Sequence, residues 1–195
     1  MTAPIHLSAD ARIVVAKTVS AKTAPVRIRT LGACVIVVGR TRIKPDAAVL
    51  FALALYLGLR AGEMVTRSAV LELLWPETEE TARRHALRQL LYRLKRAGLP
   101  VDGDGDELSI DPAVVDCDLS GLMTEQWITV VALSDLPSPR TVLPGYQPDV
   151  SAPYHEWVDG VRLRCSTQIK HAAMRHISSA RLDGRWADLD RVARI

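Results

Sequence analysis

Apolar positions near the start of the sequence predict a group of short strands. Val26 and Ile28 alternate with arginines, and a continuous apolar run covers residues 34–38. Both patterns are typical of β-strands when turn residues bound them. Gly39 predicts a turn, and Ile43 lies in a short returning strand. The pattern therefore predicts a small N-terminal sheet.

Three segments with helical spacing follow this sheet. The first begins near Pro45, and the second lies between Thr66, a predicted N-cap, and Pro76, which stops it. The third covers residues 79–97 and ends before Gly98. The apolar stripe of the first helix is Val49, Leu50, Leu53, Ala54 and Leu57.

A hairpin is predicted directly after the third helix. Val101 precedes the turn-rich residues 102–106, and Leu108 and Ile110 follow them. Strands, three helices and a hairpin thus follow one another within residues 25–118. We expect these residues to form an α+β domain, and we expect residues 1–24 to form a leader that is flexible or adds one strand.

Residues 119–195 are predicted to form a second, all-helical domain. Residues 135–148 hold four prolines and one glycine, which predicts a loop. A long helix is predicted from about residue 153 to residue 182, a turn at 183–184, and a further helix from residue 186. The apolar stripe of the long helix is Trp157, Val161, Cys165, Ile169, Ala172, Ala173 and Ile177.

Charge is unevenly distributed along the chain although its net value is only +3. Residues 25–98 carry 13 basic and 6 acidic side chains, a net of +7, whereas residues 99–118 carry 7 acidic and no basic ones.

The three cysteines are far apart and form no CxxC pair, which favours a reducing cytoplasm. No apolar run is long enough to predict a membrane span.

The third helix has the features of a DNA-contacting helix. Leu87, Leu91 and Leu94 lie on one face and are expected to pack against the first two helices. Arginine can bind guanine and glutamine can bind adenine through paired hydrogen bonds, while tyrosine and further arginines can bind phosphates. The predicted partner is double-stranded DNA. The candidate contact residues are Arg83, Arg84, Arg88, Gln89, Tyr92, Arg93 and Arg96.

Catalytic and metal-binding patterns are not found. Asp102, Asp104 and Asp106 alternate as in an EF-hand loop, but Glu107 replaces the required glycine and Ala113 stands at the twelfth position. No phosphate-binding glycine-rich loop occurs. Buried packing is the better interpretation of Cys165. We therefore expect no catalytic site, metal or cofactor, and hence no enzyme.

Several blocks resemble the SARP-like (antibiotic-regulator type) bacterial transcriptional activators. Residues 26–32 look like the opening strand of their OmpR-type winged helix, and residues 111–118 resemble the segment that leaves the wing. The blocks that match its second and third helices are Leu74-Trp75-Pro76-Glu77, Ala82-Arg83 and residues 87–96. Downstream, residues 143–145, 156–158, 162–164 and 184–187 resemble the bacterial transcriptional activator domain (BTAD), a tetratricopeptide-like helical module.

The resemblance implies a cytoplasmic transcription regulator, most often an activator, that contacts bases in the major groove through helix 79–97. It also implies RNA polymerase as a partner, a homodimer for half-site recognition, and no membrane association. The family usually has several helix pairs in its helical module. Here the sequence ends within the second helix of the first clear pair, so we expect a partial module over residues 119–195.

The hairpin departs from the family pattern. The family often has basic residues there, whereas this chain has Asp102, Asp104, Asp106 and Glu107. Carboxylates facing phosphates weaken DNA binding. Either this wing points away from DNA, or DNA is not the ligand. The alternative hypothesis is therefore a winged-helix protein-interaction module that no longer binds DNA.

Overall fold

The computed structural model describes residues 26–103 and 105–184. This part is a mixed α/β structure with a small N-terminal sheet and a long C-terminal helix. The predicted leader and the helix predicted from residue 186 lie outside it. The strands are β1 (Val26–Arg29), β2 (Val35–Val38), β3 (Thr41–Ile43), β4 (Val65–Thr66), β5 (Val101–Asp102), β6 (Glu107–Ile110) and β7 (Val115–Cys117). The helices are α1 (Ala48–Leu59), α2 (Arg67–Leu74), α3 (Glu80–Ala97), α4 (Glu125–Val130) and α5 (Ala152–Leu182).

The predicted N-terminal sheet is present and has one strand more than expected. Its order is β3-β2-β1-β7, in which β1 and β2 are antiparallel and β7 runs parallel to β1. The added strand β7 is held by the carboxylate of Asp118 just beyond it. That carboxylate accepts hydrogen bonds from Thr30 N at 2.8 Å, Thr30 Oγ1 at 2.7 Å and Leu31 N at 2.9 Å. Residues far apart in sequence thus close this sheet.

The predicted hairpin is also present, and it too has gained a strand. β5 and β6 pair with Val101 opposite Ile110, and β4 pairs with the other edge of β6, with Val65 opposite Leu108. The two-residue β4 leads directly into α2, because Thr66 is both its last residue and the N-cap of the helix. The second sheet therefore connects the hairpin to the start of α2.

The apolar stripe predicted on α1 is confirmed for Leu53, Ala54 and Leu57, but it covers only part of the buried surface. Every residue from Phe51 to Gly58 is buried, including Leu55 and Tyr56, whereas Val49 and Leu50 of the expected stripe are only partly buried. A helix that is apolar all round is enclosed by other elements. In this chain α1 packs against α2, α3 and strands of both sheets.

The predicted boundaries of the second and third helices are confirmed within about a residue. Thr66 accepts a hydrogen bond from Ala69 N at 3.2 Å, as an N-cap does. α2 ends at Leu74, directly before Trp75 and the helix-breaking Pro76. α3 ends at Gly98, whose positive φ of 93° suits a residue without a Cβ.

The long C-terminal helix is confirmed, but the segment before it is less helical than expected. Residues 119–151 contain only the short α4 and isolated 3-10 turns, including the predicted loop. On α5, the predicted Val161, Cys165 and Ile169 are buried, as are Tyr154 and Val158, which the stripe omitted.

α5 shares one hydrophobic core with the first three helices. The Tyr154 hydroxyl lies 3.1 Å from that of Tyr146, and the Tyr146 ring stacks edge-on against Phe51 with centroids 5.1 Å apart. Ser151 Oγ donates a hydrogen bond of 2.5 Å to the carbonyl of Leu73 at the end of α2. The domain boundary predicted at residue 118 stays a prediction. None of the helices described is both long and apolar enough to cross a membrane.

Candidate nucleic-acid interface

The third helix has two opposite faces, one packed and one exposed. Leu87, Leu91 and Leu94 are buried as expected, and Leu90 is buried beside them. The helix start is closed by Glu79, whose carboxylate accepts hydrogen bonds of 3.0 Å from the next amides. The same bonds lower the pKa of Glu79, since they stabilise its charged form. α3 is therefore firmly fixed through its leucine face.

Six of the seven predicted contact residues lie on the exposed side of this helix. The seventh, Arg83, is half-buried, and its Nε atom is buried without a hydrogen-bond partner among the residues described. Arg83 therefore belongs to the edge of the exposed surface and not to its centre. The six exposed residues are Arg84, Arg88, Gln89, Tyr92, Arg93 and Arg96.

Arg88 occupies the centre of this surface, because it borders three adjoining depressions. The first depression, of about 540 Å³, lies between α2 and the N-terminal half of α3. The second, of about 280 Å³, lies between α3 and the hairpin, where Lys95 and Gly103 border it. The third, of about 350 Å³, lies along α3 beside Gln89 and Tyr92. Arg88 can therefore reach a ligand that approaches α3 from any of these sides.

The other arginines differ in their surroundings. Arg84 forms an ion pair with Glu80 one turn earlier, and the Arg96 guanidinium lies 5.8 Å from the Tyr92 ring centroid. Arg93 borders none of the three depressions. It follows Arg88 by five residues, which places it about 140° further around the helix axis. Arg84, Arg88, Gln89 and Tyr92 therefore border the depressions, whereas Arg93, one turn after Gln89 on the same exposed side, does not.

Arg67 is a candidate contact residue that the sequence reasoning missed. It is the first residue of α2, and it borders both the first and the second depression beside Arg88. Its amide donates a hydrogen bond of 2.7 Å to the Asp106 carbonyl, and its Nε donates one of 3.0 Å to the Gly105 carbonyl. Lys95, recognised as basic but not predicted as a contact, also borders the second depression. Only the packing of α2, α3 and the hairpin brings these cations together.

The first and second depressions differ in charge. Glu72, Glu80 and Asp106 line the first beside its four arginines, whereas the lining of the second includes no acid among the residues that the structure describes. In the second, Arg67, Arg88 and Lys95 supply positive charge. A phosphate group is therefore best accommodated beside the C-terminal half of α3, and the N-terminal half presents mixed charge suited to polar edges.

Metal-binding and nucleophilic groups contribute little to this surface. Within residues 26–103 and 105–184, no three His, Cys, Asp or Glu side chains are arranged to hold a metal ion. Cys165 is fully buried, and burial raises the pKa of its thiol to about 11, so that it stays protonated near neutral pH. Cations, an amide and a phenol predominate on the exposed face of α3, which suits binding to an anionic partner.

Comparison of the chain with models of protein families, with curated proteins and with solved structures found no match.

Proposed function

We propose that this chain is a DNA-binding transcription regulator and that α3 is its recognition helix. In this proposal residues 26–118 are a winged helix of the OmpR type, with β5 and β6 as the wing. The helical segment that ends in α5 is a partial tetratricopeptide-like module of the BTAD kind. The order of elements and the two-sheet arrangement around α1, α2 and α3 support this assignment, as does the resemblance to SARP-like activators.

The main support for the proposal is that α3 buries one face in the core and exposes the opposite face. Four buried leucines fix one face, and the other exposes Arg84, Arg88, Gln89 and Tyr92 beside the start of α2 and the hairpin. The 18 residues of α3 span about 27 Å, and a major groove is wide enough to admit such a helix. In this arrangement the arginines and Gln89 contact base edges, and Arg67 and Lys95 contact phosphates.

Titration of labelled duplex DNA at low and moderate salt tests the proposal. The full chain should bind with an affinity that falls steeply as salt rises, because phosphate contacts release counterions. In a duplex selected from a random pool, Arg88→Ala should weaken binding by about 1–3 kcal/mol. Arg181→Ala, an exposed arginine near the end of α5, is the matched control and should leave binding unchanged. Equal effects of the two substitutions would contradict the assignment of α3.

A protein-interaction role is the second candidate function. It is favoured by Asp106, whose carboxylate borders the same depression as Arg84 and Arg88. A surface with both charges suits a protein partner that carries both charges. Absence of binding to any duplex at low salt would favour this candidate. RNA polymerase contact and dimerisation are further parts of the proposal, taken from the family resemblance alone.

A further inference from the structure

The tip of the acidic hairpin is fixed against the start of α2. The backbone carbonyl of Asp106 accepts a hydrogen bond from the amide of Arg67, and that of Gly105 accepts one from its Nε. The neighbouring Glu107 is paired with Thr66 in the β4–β6 ladder. Residues 105–107 cannot move away from α2 without breaking these contacts, so the fold sets the position of the Asp106 backbone.

Asp106 thereby places a negative charge on the surface of α3. It borders the first depression together with Arg83, Arg84 and Arg88. It is exposed, and none of the ion pairs found among the residues described includes it. Glu80, by contrast, is paired with Arg84. Asp106 therefore adds a negative charge beside the arginines of this depression.

Asp106 borders the same depression as the arginines of α3, so this part of the wing does not point away from α3. A phosphate that approaches the arginines also approaches Asp106, whose backbone is held by Arg67, and like charges within about 10 Å repel at physiological salt. The repulsion depends on the phosphates and is the same for every base sequence. Its effect is to lower the affinity for all duplexes.

We propose that Asp106 limits DNA affinity independently of sequence, so that stable binding requires base contacts from α3. This inference rests on the proposed function. Arg67 is the positioning residue, since it holds the hairpin tip in place. With Asp106 beside its arginines, the chain binds random DNA weakly and needs base contacts such as those of Arg88 to stay bound to a specific sequence.

The experiment compares Asp106→Asn with two matched variants of the full chain. Asp106→Glu keeps the charge, and Asp149→Asn removes one exposed carboxylate from the segment before α5. Each variant is titrated with a mixed-sequence duplex and with a duplex selected from a random pool, over a series of salt concentrations. Asp106→Asn should raise affinity for both duplexes by about 3- to 10-fold at low salt and steepen the salt dependence. Asp106→Glu and Asp149→Asn should stay within about twofold of the unmodified chain.

Three outcomes would overturn the inference. Equal gains for Asp106→Asn and Asp149→Asn would mean that net charge alone is responsible. A gain confined to one duplex, or a loss of affinity, would mean that Asp106 contacts bases directly. If the unmodified chain binds DNA and Asp106→Asn binds with the same affinity, the inference is refuted and the proposed function is unaffected. Failure of both to bind either duplex at low salt would refute the proposed function itself.

Discussion

Replacing Asp118 with alanine should destabilise the fold more than removal of any exposed carboxylate. The substitution removes the acceptor of three hydrogen bonds, two from Thr30 and one from Leu31. Thr30 is fully buried, so its amide and hydroxyl cannot recover these bonds from water. Each unsatisfied buried donor costs about 1–3 kcal/mol, and the Leu31 amide can be partly rehydrated. The expected loss in the free energy of unfolding is about 2–5 kcal/mol.

Urea denaturation followed by tryptophan fluorescence measures this loss. With a slope of about 2 kcal/mol per molar urea, the midpoint should fall by about 1–2 M. Asp116→Ala is the matched control on the same strand. Its side chain is 60% exposed and pairs with Arg29, so its loss should cost less than about 1 kcal/mol. Midpoints that coincide for the two variants would refute the view that Asp118 closes the sheet.

Three further predictions concern the core. Leu87→Ala should lower the free energy of unfolding by about 2–5 kcal/mol, whereas Gln89→Ala on the exposed face should change it by less than about 0.5 kcal/mol, both measured in urea. Gly58→Ala should cost about 1–3 kcal/mol in the same assay despite the better helix propensity of alanine, because its Cβ would lie 2.1 Å from the Cδ1 of buried Ile28. Burial raises the pKa of the Cys117 thiol from 9.0 to about 11. Between pH 9 and 11 the thiol therefore ionises in the unfolded chain but not in the folded one, so the free energy of unfolding should fall as the pH rises through this range. Cys117→Ala should flatten that part of the pH profile.

Each of these predictions has a distinct contrary result. Equal destabilisation by Leu87→Ala and Gln89→Ala would mean that the leucine face of α3 is not the face packed in the core. A more stable Gly58→Ala variant would show that Ile28 moves aside at little cost. An unchanged pH profile without the Cys117 thiol would assign the alkaline loss to other groups.

Local signals explain which elements the sequence predicts. Thr66, Glu79 and Gly98 act through hydrogen bonds and backbone angles within a few residues, so the limits of α2 and α3 could be placed from sequence. β4 and β7 have two and three residues and show no periodicity of their own. They exist because distant strands pair with them, and a local pattern does not contain that information.

The same distinction holds at the candidate interface. The exposed arginines of α3 are visible in its spacing, and so are Leu87 and Leu94 on the opposite face. The importance of Arg67 is not visible, because it depends on the carbonyl of Gly105, which lies 38 residues away and is brought near by the second sheet. Nor could the sequence show which way the acidic hairpin points. These contacts are tertiary, and a helical period cannot predict them.

The parallel pairing of β7 with β1 has a consequence for the order in which the chain can fold during synthesis. Thr30 and Asp118 are 88 residues apart, so the edge of β1 that pairs with β7 lacks that partner until residues 115–118 have left the ribosome. An unpaired strand edge is a template for pairing with another chain. Contacts of such long range also slow folding. A nascent chain that pauses between β6 and β7 would contain α1, α2, α3 and the hairpin but expose that edge, and self-association would then compete with completion of the fold.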